Sequence, residues 1–135
     1  MATQITSNRE PDYNDLDLDF MRNPKTDLLI LKTGREAVKR SVRNLIMTNY
    51  YERPFQSYIG SGIRELLFEN FTPMTTILLE DRVRLTLQNF EPRVSVENVS
   101  VYEDIDNNGF SVNITYIIKN TNEPIVTSLF LERIR

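Results

Sequence analysis

The sequence predicts an α+β protein in which three N-terminal helices pack on one face of a small antiparallel C-terminal sheet, behind an extended N-terminal arm. Three observations carry that expectation. Apolar residues between positions 35 and 90 recur at helical spacing, from Val94 onward they alternate with period two, and proline or glycine marks most of the transitions. Helices followed by a meander are the order of an α+β chain. The expected organisation is an acidic arm over 1–31 and a single domain over 32–135, since 135 residues suit one domain and no repeat or interdomain linker interrupts them.

The arm is punctuated by Pro11 and Pro24. Within it Asp15-Leu16-Asp17-Leu18-Asp19-Phe20 alternates strictly, so Leu16, Leu18 and Phe20 are expected on one side of a short edge strand. The three aspartates would form a solvated other side that discourages stray pairing. Leu28 to Leu31 is a short apolar patch leading to a helix entry at Thr33-Gly34. The first helix covers 35–48, with Ala37, Val38, Val42, Leu45 and Ile46 on its apolar face and Arg35, Lys39, Arg40 and Arg43 mostly elsewhere. Pro54 keeps it from continuing through Arg53. Ser61 is a candidate N-cap for a short helix from Gly62 to Asn70, and Thr72-Pro73 opens the third helix as cap and first-turn proline. That helix runs to about Phe90, roughly 27 Å long at 1.5 Å per residue, and Pro92 closes it.

Val94-Ser95-Val96 and Val99-Ser100-Val101 alternate on opposite parities, which predicts a bulge near Glu97-Asn98. Phe110, Val112, Ile114, Tyr116 and Ile118 form the cleanest period-two run, entered through Asn108-Gly109. A turn at Thr121 to Pro124 leads to a third strand over Ile125 to Ile134, after which only Arg135 remains to mask its edge.

Composition excludes several chemistries. The chain contains no cysteine and no histidine, which removes disulfides, thiol nucleophiles, imidazole metal ligands and the Ser-His-Asp triad. Any catalysis would rest on carboxylates, lysine or tyrosine. Net charge is −3, distributed as −3 over 1–31, +3 over 32–70 and −3 over 71–135. An acidic arm and sheet argue against nucleic acid. No apolar run approaches the ~20 residues of a membrane span, and the first residues lack a signal-peptide core, so a soluble protein is expected.

Each candidate site has a structural alternative. Asp104 to Gly109 matches the opening of a calcium loop, but the position that should hold a bidentate glutamate is Thr115, and the flanks read as strands. An acidic hairpin loop is the better reading, and neither a metal nor a cofactor is expected. The Asn-x-Ser/Thr triplets at Asn70, Asn98 and Asn113 mean little without a secretory signal. Glu65, Glu69, Glu80 and Glu91 lie near apolar residues, yet nothing selects two of them as a glycosidase pair. The basic face of the first helix reads either as a solvated face or as a dock for an acidic partner. Glu91-Pro92-Arg93 sits at a fixed helix-to-strand bend. Its charged pair reads either as a local ion pair or as an exposed docking surface.

The motifs Glu52-Arg53-Pro54-Phe55, Leu66 to Asn70, Thr72-Pro73 and Phe90 to Val94 occur in an order and spacing that resemble a family: the small baseplate wedge protein of contractile-tailed phages, shared with a baseplate component of type VI secretion systems. The likeness covers roughly 16–103 by motif and the later strands by architecture. Ser57 to Gly60 departs from the Pro-x-Phe-Gly-like turn of many relatives. The resemblance implies a structural subunit of the tail baseplate, made in the host cytoplasm, that joins larger wedge proteins and initiates the tail sheath by offering a sheet edge. It implies partner contacts at Glu91, Pro92, Arg93, Arg53, Lys39, Arg40 and Arg43, with sheath-facing strands carrying Phe110, Val112, Ile114, Ile125, Thr127 and Leu129. The implied partners are wedge and sheath proteins, with no nucleic acid, membrane or small-molecule substrate. Some members carry a lysozyme label. A carboxylate-based muramidase is therefore the rival reading, without residue-level support.

Overall fold

The computed structural model describes residues 13–119, 121 and 123–133. The described residues open with β1 (Asn14–Leu16) and β2 (Leu31–Thr33), an antiparallel pair in the register Asn14 opposite Thr33 and Leu16 opposite Leu31. Three helices follow: α1 (Gly34–Met47), α2 (Ile63–Leu66) and α3 (Pro73–Phe90). A separate antiparallel sheet then runs in chain order through β3 (Val94–Asp104), β4 (Gly109–Ile118) and β5 (Pro124–Glu132).

This arrangement corrects the expected fold, three N-terminal helices on one face of a sheet behind an extended arm. The helices lie in the middle of the chain, and a small sheet stands where the arm was expected. The strict alternation of 15–20 stops at Asp17, where Phe20 N–H bonds to the Asp17 carbonyl at 3.0 Å and the chain turns. Phe20 takes a left-handed φ of 50° there, and Arg22 then pairs with Leu29 on the return to β2. The second helix is a single turn rather than 62–70. Beyond Leu66 its bonds tighten to the third residue back, from Phe68 to Glu65 and from Glu69 to Leu66. Thr72 must be extended before Pro73, at φ −142° and ψ 151°, so the helix cannot run through.

The longer elements obey their local signals. Thr72 caps α3 by accepting from Thr75 N–H at 3.2 Å, with Pro73 in the first turn. The β3–β4 register shifts between Val96 and Asn98, at the bulge the parity change predicts. Only four residues separate paired Asp104 and Gly109, and the Asp104 carboxylate closes that turn on Asn107 N–H and Nδ2 at 3.1 and 2.8 Å. Asn122, Ile134 and Arg135 lie outside the described residues.

One core joins the helices to the large sheet. Val38, Val42, Leu45 and Ile46 of α1 meet Leu79, Val83 and Leu87 of α3, and both sets pack with Phe110, Val112, Ile114, Tyr116 and Ile118 of β4. Emptying any of these positions to alanine carries a cavity cost of about 2–5 kcal/mol for the larger side chains. Tyr116 is fully buried, and its hydroxyl lies 3.2 Å from Thr127 Oγ1, which satisfies both polar groups inside the core.

Candidate interaction surfaces

The corner after α3 holds a charge network of Glu91, Arg93 and Asp15. Glu91 is buried at 3% exposure, so it does not form an exposed pair with Arg93. Its Oε2 accepts from Ser41 Oγ at 2.5 Å and from Arg93 Nη2 at 3.0 Å, while Oε1 accepts from Arg93 Nε at 2.7 Å. The far side of the guanidinium donates to both Asp15 oxygens at 3.1–3.2 Å, and its face lies 5.4 Å from the Tyr13 ring centre. Burial pushes the Glu91 carboxyl up, but the Arg93 and Ser41 hydrogen bonds and the Arg93 charge outweigh it, so its net shift is downward. Arg93 shifts up, mainly through its hydrogen bond to Glu91, against burial and with help from Asp15. Pro92 alone of the three is exposed. The corner therefore ties β1, α1 and the start of β3 together.

The N-terminal hairpin is inverted relative to expectation. Its aspartates face the body: Asp15 pairs with Arg93, buried Asp17 with Arg40 and Lys32 at 3.3 and 3.5 Å, and Asp19 with Arg40 at 2.9 Å. Leu16, Leu18, Phe20, Met21, Leu28, Leu29 and Leu31 are left between 46% and 68% exposed. On α1, Lys39 and Arg43 are exposed and have no carboxylate partner among the described residues, whereas Arg40 is half-buried in the aspartate network. Sequence reasoning named the cations but missed Asp15, Asp17, Ser41 and Tyr13. The alternating aspartates were the available signal, read with the wrong side inward.

A second exposed surface lies on the loop from α1 to α2. Its base is fixed: buried Ser61 donates through Oγ to the Ile46 carbonyl at 2.7 Å, and its N–H bonds to the Thr48 carbonyl at 2.9 Å. Gly60 passes so close that a Cβ there would stand 2.6 Å from the Tyr50 nitrogen. From that base the loop presents Tyr51, Arg53, Phe55 and Tyr58 to solvent, with Tyr51 and Phe55 in the left-handed region at φ 66° and 65°.

The sheet offers two edges of different character. β4 is the middle strand, hydrogen-bonded on both sides, so it has no edge to present. Phe110, Val112 and Ile114 are fully buried, Thr127 and Leu129 nearly so, and Ile125 is half-buried. These side chains face the core, and the opposite face carries Ser111, Asn113 and Thr115 with Val126, Ser128 and Phe130. The free edge of β3 is interrupted at its bulge and blocked at Val101, whose N–H bonds to Glu80 Oε1 of α3 at 3.0 Å. No strand or helix pairs with the outer edge of β5 among the described residues. Its run from Ile125 to Leu131 carries no charge.

The four glutamates near apolar residues are each placed otherwise than as an acid–base pair. Glu65 and Glu69 are exposed, Glu80 is engaged by Val101, and Glu91 is held ionised. Among the described residues no three acidic side chains gather as a metal-ligating group.

Buried charge that fixes one element, beside exposed apolar residues and an uncharged open strand, defines a protein-assembly module. Its surfaces suit the side chains and backbone of other proteins. Residues 32–123 match the family model described as baseplate wedge protein gp25, and the chain belongs to that family. It is 30% identical over 95 residues to baseplate wedge protein gp25 of Enterobacteria phage T4, covering 68% of this chain and 71% of that protein. Among solved structures it is similar to a Geobacter sulfurreducens protein with a provisional tail-lysozyme label, at TM-score 0.66 and 24% identity over 77% of this chain and 96% of that one. A chain of the anti-feeding prophage baseplate is similar at TM-score 0.64 and 21% identity, over 92% of this chain and 88% of that one. A chain of the postcontracted pyocin R2 baseplate gives 0.54 and 16%, over 87% and 98%. At these identities the structural likeness is one of fold.

Proposed function

We propose that this chain is a non-enzymatic subunit of the tail baseplate that joins larger wedge proteins on its hairpin and α1 side and starts the sheath through β5. The observation that carries this reading is the difference between the two sheet edges: β3 is bulged and its Val101 N–H is taken by Glu80, whereas β5 is uncharged from Ile125 to Leu131 and has no strand on its outer side among the described residues. An added strand gains main-chain hydrogen bonds along such an edge, and alternate side chains set its register. Val126, Ser128 and Phe130 are the β5 positions whose backbone groups point outward, because Val101 opposite Val112 leaves the odd-numbered β5 residues bonded inward to β4.

The wedge contacts in this reading are Pro92, Arg53, Lys39 and Arg43, which are exposed. Glu91, Arg93 and Arg40 act by holding the hairpin in position. Family membership and the fold shared with two baseplate chains support a location in the tail baseplate of the virion. The ionised Glu91 argues against muramidase chemistry, because a general acid needs a carboxyl with a raised pKa.

Ser128→Pro tests the sheath role. Proline there removes an outward N–H while sparing the inner ladder, as edge strands tolerate. The expected result is a folded subunit that enters baseplates while sheath fails to polymerise on them. Normally sheathed tails would rule out β5 as the starting edge.

A further inference from the structure

Between β1, α1 and the α1–α2 loop lies a cleft of about 170 Å³. Leu16 and Leu18 supply apolar lining, Asn44 a polar group, and Arg53 a cation. Asp15, Asp17 and Asp19 of the adjoining hairpin are already engaged. Both Asp15 oxygens accept from Arg93, the two Asp17 oxygens face Arg40 and Lys32, and both Asp19 oxygens accept from Arg40. Arg53 is the exception on the cationic side, with no carboxylate partner among the described residues.

We infer that this cleft receives a segment of another baseplate subunit carrying an aspartate or glutamate beside an aliphatic or aromatic residue. The acid meets the Arg53 guanidinium, whose planar fork matches a carboxylate bidentately. The apolar residue covers Leu16 and Leu18, about half exposed at 46% and 50% in the free chain. A polypeptide fits better than a nucleic acid, because Leu16 and Leu18 offer nothing to a sugar–phosphate backbone and the neighbouring cations Lys32 and Arg40 are neutralised. The inference rests on the wedge role proposed above and adds the chemistry of the partner segment.

Tails assembled with a photoreactive benzoylphenylalanine at position 18 test it. Irradiation of the purified baseplates is expected to link this chain to another tail subunit, at a peptide with an acidic residue within about four positions of the attachment point. Arg53→Glu in the same background is expected to lower that cross-link about tenfold, the loss of one ion pair worth about 1.4 kcal/mol. Circular dichroism should show Arg53→Glu folded as the wild type. A cross-link to a segment without an acid, to DNA or to a second copy of this chain would overturn the inference, as would a yield unmoved by Arg53→Glu. Baseplates that contain the chain but give no cross-link would also overturn it while leaving the wedge role standing. Baseplates that form normally without the chain would remove both.

Discussion

Glu91 is the residue on which the N-terminal half of the molecule is hung. Its two oxygens satisfy Ser41 on α1 and two nitrogens of Arg93, which in turn carries Asp15. Removing one member of a network this buried leaves its partners unpaired, so Glu91→Gln is expected to destabilise the fold by about 2–3 kcal/mol at neutral pH. The pH dependence follows from the direction of its shift. The carboxyl is lowered from an ordinary value of 4.5, so its stabilisation is complete above that pH and disappears as pH falls through the lower folded value. Urea unfolding of both proteins at pH 7 and pH 3 should show the gap narrowing with acid; a gap that stayed constant would count against a role for the Glu91 charge. At this scale the sequence revealed the nearest contact and not the distant ones. Glu91 and Arg93 are separated only by Pro92, and their pairing was readable, but Asp15 lies 78 residues from Arg93 and became its partner only through the fold.

Among the elements, the contrast between β3 and β5 has the largest consequence. Glu80 on α3 has no charge partner among the described residues, yet it occupies the Val101 N–H, one of the outward groups of β3 that a visiting strand would use. Glu80→Ala is expected to cost about 1 kcal/mol and to expose a second pairing edge. Analytical ultracentrifugation should then show increased self-association at high concentration, and a strictly monomeric variant would argue that the bulge alone protects β3. Element limits were legible wherever a proline or a change of period enforced them, as at Thr72-Pro73, Phe90 to Pro92 and the Val96–Asn98 bulge. The length of α2 was not, because Leu66 and Leu67 fit a longer helix locally. The demand that Phe71 reach Phe110, 5.0 Å away between ring centres, comes from tertiary packing.

Across the whole molecule, the inverted hairpin decides which surface faces outward. The alternating sequence predicts leucines and aspartates on opposite sides of the hairpin, but not which side meets the body. Lys32, Arg40 and Arg93 settle it, since burying Asp17 without cations would be costly. A hairpin held mainly by ion pairs should loosen separately from the core. Arg40→Gln is expected to accelerate amide exchange over residues 14–33 about tenfold while β4 stays protected. Equal acceleration in β4 would mean that hairpin and core unfold as one unit.

The open β5 edge also governs how the subunit behaves before it is assembled. If β5 starts the sheath as proposed, pairing between two free copies grows with the square of their concentration, whereas capture by a limited number of growing tails grows only with the first power. Excess subunit therefore shifts the outcome from construction to self-pairing. On the proposed sheath role, the uncharged stretch from Ile125 to Leu131 would make timely, stoichiometric supply matter as much as shape.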